Sequence, residues 1–232
     1  MNRTIKGWAL LVSVFSMALL LVTMVTPTQA ASVQGHVLPP TARVHGWSLT
    51  KAIQETAFFN SSVDGNGWRM EDRLPENLPF QMLYTRSGNT FQVKPGTTFY
   101  LPISFIDSSP PLIGTYPTNN REARSYFFDP SQFGFRNVKI VIDDGEATAI
   151  GPEYVAGPIT TKLGYIGSDE DFQYASVGVF LDLKQGEHTV AVHYEVAGTL
   201  YLDYLESQGF PREPSIVNFG YTVIVGKHHS GH

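Results

Sequence analysis

From Thr97 to Val225 apolar side chains recur on every second residue of successive short segments, and the breaks between segments are turn formers. Thr97, Phe99, Leu101, Ile103 and Phe105 share one face, and Pro95-Gly96 supplies the turn that starts them. Val138, Ile140 and Ile142 repeat the pattern up to Asp143-Asp144-Gly145, a tight-turn signal before Glu146 to Ile150. Val177, Val179, Leu181 and Leu183 form the next face, Gln185-Gly186 turns the chain, and Val190, Val192, Tyr194 and Val196 line the return. Phe219, Tyr221, Val223 and Val225 close the series. A two-residue period places alternate side chains on opposite faces of a strand. About eight such strands joined by turns exclude a parallel sheet built from strand-helix-strand units. The expected fold is therefore all-β: an antiparallel, jelly-roll-like β-sandwich.

One segment departs from that period. Between Trp47 and Phe59, Leu49, Ala52, Ile53 and Ala57 recur at three- and four-residue steps, and Ser48 or Thr50 can cap the start. This predicts one short N-terminal helix, with Trp47 and Phe58 anchoring it to a sheet. Residues 31–46, which contain Pro39-Pro40, read as an extended lead-in, and 60–67 as a run of turn formers. Two long connections, Asp107 to Arg136 and Gly151 to Tyr174, interrupt the strands, and loops of that length are either functional or disordered.

The first thirty residues carry an address. Arg3 and Lys6 precede an apolar run from Trp8 to Val25, Pro27 breaks it, and Thr28-Gln29-Ala30 ends in small residues. This is the pattern of a signal peptide cleaved after Ala30, with Ala31 as a near alternative. The competing reading is a retained anchor, because the run sits at the short limit for spanning a bilayer. Removal takes two positive side chains and leaves 14 basic and 21 acidic ones, a formal charge of −7. The organisation expected is thus a signal peptide (1–30), the lead-in, one β-sandwich domain (47–226) and a flexible histidine-containing tail (227–232).

Charge and composition exclude several functions. A mildly acidic chain has no bulk attraction for nucleic acid or anionic lipid. The absence of cysteine removes disulfides, thiolate metal sites and thiol nucleophiles, and in an exported chain it points to bacterial export with a fold held by its core. The expected location is secreted, periplasmic or at the cell surface. There is no Gly-x-Ser-x-Gly elbow, no His-Glu-x-x-His, no phosphate loop and no dinucleotide fingerprint.

Several short pieces occur in a familiar order: Trp47, Asn60, Asp64 and Gly67; Val93-Lys94-Pro95-Gly96-Thr97 leading to Phe99-Tyr100-Leu101-Pro102; Ile140-Val141-Ile142-Asp143-Asp144-Gly145; and Leu183-Lys184-Gln185-Gly186-Glu187-His188-Thr189-Val190. The order resembles an uncharacterised family of exported bacterial β-sandwich proteins with VPAG…FFP, IDG and PGEHTV-type segments. Lys94-Pro95 stands where that family has Pro-Ala, and its frequent cysteine is missing. The resemblance implies one exported β domain and transfers no activity and no catalytic residue.

Three groups of residues are candidates for chemistry. The segment from Tyr116 to Phe135 places Tyr126, Phe127, Phe128, Phe133 and Phe135 near Asn120, Arg121 and Arg124. Aromatic faces beside polar groups are what grips sugar rings, which makes Tyr126, Phe128, Arg121 and Arg124 candidate ligand-binding residues. The alternative is that these rings cap the open end of the sandwich. Asp169-Glu170-Asp171 offers hard oxygen donors of the kind calcium takes, though without the alternate spacing of a calcium loop; a solvated loop tip is the competing reading. His188 and His193, five apart on one strand, face opposite sides and cannot share an ion, while His193 shares its face with Glu195. His228, His229 and His232 form a tail able to hold a transition metal.

The function expected is a non-catalytic exported binding domain whose long loops take a glycan or envelope component. An enzyme acting on polysaccharide, hydrolase or lyase, with Asp169, Glu170, Asp171 or His193 as acid-base groups, is the alternative, and a structural element of a surface assembly is a third. Convergence of His193, a carboxylate and an arginine in one concave pocket would favour the enzyme.

Overall fold

The computed structural model describes residues 35–65, 67–166 and 169–226. The expected signal peptide and the histidine tail lie outside them. The described residues belong to one compact unit. In chain order its elements are β1 (His36–Val37), α1 (Leu49–Ser61), β2 (Gln81–Met82), β3 (Thr90–Val93), β4 (Thr98–Asp107), α2 (Asn120–Phe128), β5 (Phe135–Ile142), β6 (Thr148–Ala149), β7 (Val155–Thr161), β8 (Phe172–Asp182), β9 (Gly186–Val196), α3 (Thr199–Ser207) and β10 (Ser215–Val225). The described residues are mostly β, with two five-stranded sheets and three α-helices.

The first sheet runs β1-β8-β4-β2, with β7 sharing the β1 edge of β8; the second runs β3-β10-β9-β5-β6. Long pairings are antiparallel, as in β4 with β8 and β9 with β10. Two short ones are parallel, β2 with β4 and β3 with β10, so both sheets are mixed rather than purely antiparallel. Alternating burial carries no information on strand direction, which is why periodicity missed this. The Gln185-Gly186 turn also differs from expectation: β8 and β9, which it joins, belong to different sheets.

Alternation is cleanest where one face meets solvent. In β9, His188, Val190, Val192, Tyr194 and Val196 are buried, and the residues between them are not. β8 is buried almost continuously from Tyr174 to Leu181, because α1 packs over β7 and β8 and hides its second face. Val179, Leu181, Val190 and Val192 all lie in one hydrophobic cluster to which both sheets contribute.

Helix α1 starts where Ser48 accepts a hydrogen bond from the Lys51 amide at 3.3 Å. It buries Leu49, Ala52, Ile53 and Ala57, as the spacing requires. Its anchor is Phe59, fully buried and edge-on to Tyr84 at 5.0 Å, whereas Phe58 is 40% exposed beneath the Arg73 guanidinium. Trp47 does serve as an anchor, edge-on to Phe80.

Each connection expected to be irregular contains regular structure. The lead-in supplies β1, which adds to β8. The Asp107–Arg136 connection contains α2, and the Gly151–Tyr174 connection contains β7. Pro158, within β7, has no N–H to donate to a ladder. The pairing of β7 slips between Ala156 and Ile159, so the proline falls in a bulge.

Candidate functional site

The aromatic segment is built around α2. Asn119 caps the helix by accepting from the Glu122 amide at 3.0 Å. The next residue, Asn120, donates to the carbonyls of Val155 and Gly157 at 3.0 and 3.1 Å, fastening the helix to β7. The rings then turn inward. Phe127 is fully buried edge-on to Phe135 at 5.3 Å, and Phe135 stacks on Tyr194 at 5.1 Å. Tyr126 packs on Phe133, Phe133 on Tyr201, and Phe128 on Phe135. The Tyr126 hydroxyl donates to the Ile113 carbonyl, and burial pushes it up to about 12.

Of the four residues singled out there, Arg121 and Tyr126 border one open pocket of about 560 Å³ together with Tyr116, Asn119, Glu122 and Gln132. Phe128 and Arg124 do not line it. Arg121 and Arg124 stand exposed. What the segment does most visibly is packing.

Asp169, Glu170 and Asp171 are all exposed. Lys162 meets Asp169 at 2.8 Å and holds its carboxyl below the ordinary aspartate range. Among the described residues no group of three or more His, Asp or Glu side chains is arranged to hold a metal.

The two strand histidines face opposite ways, as their spacing required. His188 is 2% exposed, with Nδ1 3.0 Å from Asp143 Oδ2 and Nε2 2.9 Å from the Lys184 carbonyl. The other Asp143 oxygen accepts from the Thr189 amide at 2.9 Å, so this histidine ties two turns together. His193 lies on the solvent side of β9, with Nδ1 2.7 Å from Oδ1 of its cross-strand neighbour Asn218. With that oxygen accepting, Nδ1 is the donor, which in the neutral ring leaves Nε2 as an acceptor.

Beside His193 the sheet is deformed in a way that assembles a polar cluster. Arg136 pairs with Glu195 and Lys139 with His193, so β5 takes three steps where β9 takes two. This is a bulge of one extra residue. Asn137 occupies it in the left-handed region at φ 53°, a conformation asparagine tolerates better than most residues. Consecutive strand residues ordinarily point to opposite faces; the bulge lets Arg136 and Asn137 reach the same carboxylate. Arg136 Nε and Asn137 Nδ2 each donate to Glu195 at 2.7 Å. These two bonds, Asn137's first, and then the nearby charges hold the Glu195 carboxyl below the ordinary glutamate range, so it is ionised at neutral pH.

The result is an open pocket of about 530 Å³ lined by Asn137, Val138, Lys139, Ala147, Ala149, His193 and Glu195. It offers a fixed carboxylate, an oriented imidazole, an ammonium group and an amide. Its lining holds one carboxylate and no hydroxyl nucleophile, so it lacks the paired acids of glycosidase chemistry. Sequence reasoning had named His193 and noted Glu195 beside it, but not Arg136, Asn137 or Lys139. A signal was available: Phe135 and Val138 both point inward although three residues apart, a break of phase that marks a bulge.

A second polar cluster joins loops. Tyr165 donates to both oxygens of Asp107 at 2.9 Å, and the Ser109 amide and hydroxyl also donate to Asp107. It clamps the end of β4 to the 162–166 segment.

Fold and pocket together define a mostly β protein with a polar site on the solvent side of its second sheet. Comparison with family models, with curated proteins and with solved structures returns no match for this chain. No helix among the described residues is long and apolar enough to cross a membrane.

Proposed function

We propose that the chain is an exported, non-catalytic binding domain, a β-sandwich of jelly-roll type, that takes a glycan or cell-envelope component. The signal-like N terminus and the resemblance to exported bacterial domains support the address, secreted, periplasmic or surface-bound. One observation carries the binding reading: the bulge in β5 fixes Glu195 and Asn137 to each other, Asn218 fixes His193, and these border an open pocket together with Lys139. Groups held in place before the ligand arrives lose little entropy on binding it. The reading prefers the sheet face to the loop pocket at Arg121 and Tyr126, because the rings of that loop are mostly packed and the sheet-face groups are held by hydrogen bonds.

Pull-down on purified cell-wall material and a glycan array test the reading. Retention of the wild type and its loss in His193→Gln and Glu195→Gln are expected. Equal retention of wild type and both variants, or none at all, refutes it.

A second reading, an enzyme acting on polysaccharide, is favoured by one fact: His193, Glu195 and Arg136 meet at one place. Release of new reducing ends or unsaturated sugars from a bound glycan would establish it, with His193 Nε2 as the base. A lone glutamate held ionised cannot also be the general acid, which is why binding is preferred.

A further inference from the structure

We infer that the pocket on β5 and β9 selects acidic glycans, taking the carboxylate of a uronic acid residue on Lys139 while Glu195, held by Arg136, and His193 accept its hydroxyls. This rests on the binding reading above and names its ligand class.

Consider first the cations. Lys139 lines the pocket, and among the described residues it has neither an ion pair nor a hydrogen bond to its side chain. Arg136, 56% exposed, engages Glu195 through Nε, and its two terminal amino groups have no bond among the described residues. Lys139 is the cation of the lining itself, and Arg136, outside the lining, is bonded to the Glu195 that forms part of it. A carboxylate is the complement of the unengaged Lys139 ammonium, and hydrogen bonds between ions are shorter and stronger than neutral ones.

The acceptors are the complement. Each Glu195 oxygen receives one bond, from Arg136 or Asn137, and keeps further acceptor capacity. In the neutral ring, with Nδ1 donating to Asn218, the Nε2 of His193 is an acceptor. A ring carrying one carboxylate and vicinal hydroxyls satisfies both sets at once. The lining contains no Phe, Tyr or Trp, so a neutral sugar would have no broad stacking face and would offer Lys139 hydroxyls but no anion. The acidic balance of the whole chain, 21 acidic against 16 basic side chains, gives polyanions no general attraction. Affinity for one must come from a local patch, and loss of that patch must remove it.

The test is affinity electrophoresis and calorimetry of the signal-free protein against polygalacturonate, alginate and hyaluronan, each beside its carboxyl-reduced neutral form. At least one acidic polymer should bind more tightly than its reduced form. Lys139→Gln should weaken that binding about tenfold, the scale of one charge-assisted bond. His193→Gln should weaken it too, and Lys94→Gln, an exposed cation in the β3-β4 turn, should leave it unchanged. Circular dichroism of each variant confirms that the fold is kept. Equal binding of acidic and reduced polymers overturns the inference and leaves the binding reading standing, as does acidic binding indifferent to Lys139→Gln. Failure of every polymer and of wall material overturns both.

Discussion

Replacing Phe127 by alanine separates packing from recognition in the aromatic segment. Its ring is wholly buried, and full burial of a phenylalanine withdraws about 150 to 200 Å² from water, worth roughly 4 to 5 kcal/mol at 25 cal/mol per Å². The extended-chain reference makes that an upper figure. The lost edge-on contact with Phe135 adds about 0.5 to 1.5 kcal/mol, and measured Phe→Ala costs in cores run about 3 to 5 kcal/mol. Helix propensity offsets only a few tenths, since alanine is the better helix former. The expected loss is therefore about 4 kcal/mol, read in urea denaturation as a lower midpoint with an unchanged slope. For a domain of this size it corresponds to a fall of roughly 8 to 16 °C in melting temperature. Arg124→Ala, on the exposed side of the same helix, should change stability by less than about 0.5 kcal/mol. A Phe127→Ala loss below about 1 kcal/mol would refute the reasoning, because it would mean that the ring is not part of the core.

Three further outcomes follow from the same structure. Burial raises the hydroxyls of Tyr100, Tyr116, Tyr174 and Tyr221 well above their ordinary value, and those of Tyr126 and Tyr194 to about 12. The folded chain keeps these protons after the unfolded chain has lost them, so their contribution is whole below pH 10 and falls as pH rises towards 12. Titration at 295 nm should show the six ionising together with unfolding; a smooth titration of all eleven tyrosines near pH 10 in folded protein would contradict it. At Gly198 an added Cβ would lie 2.1 Å from the Gln132 carbonyl oxygen and 2.5 Å from the Phe133 carbonyl carbon, both backbone. Gly198→Ala should cost more than about 2 kcal/mol in thermal melts, and a variant as stable as wild type would show that this approach is not close. Asn137→Gly keeps the left-handed backbone and should retain stability, whereas Asn137→Val, a β-branched residue at φ 53°, should lose about 1 to 3 kcal/mol; equal denaturation midpoints would remove the strain argument behind the bulge.

Sequence by itself determined what depends on neighbours along the chain. Val190, Val192, Tyr194 and Val196 point inward and His193 and Glu195 outward because extended backbone alternates its side chains, whatever lies opposite. The Asp143-Asp144-Gly145 turn, with Asp143 at φ 55°, and the Ser48 cap of α1 are likewise local chemistry. Short helices were less legible. In α2, Ala123, Tyr126 and Phe127 do recur at helical spacing, but nine residues give barely two and a half turns of it, flanked by Pro117 and Pro130.

Tertiary structure alone decided the rest. Whether β9 follows β8 within one sheet or passes to the other, and whether β2 and β3 pair in parallel, depends on distant partners that leave no periodic trace. The direction in which Tyr126 and Phe127 face was set by the core available beneath α2. The pocket depends on residues 58 and 59 positions apart meeting at one carboxylate, through a bulge whose extra residue matters only because β9 lies alongside. A strand dictates which way its side chains point; only its neighbours dictate what they meet.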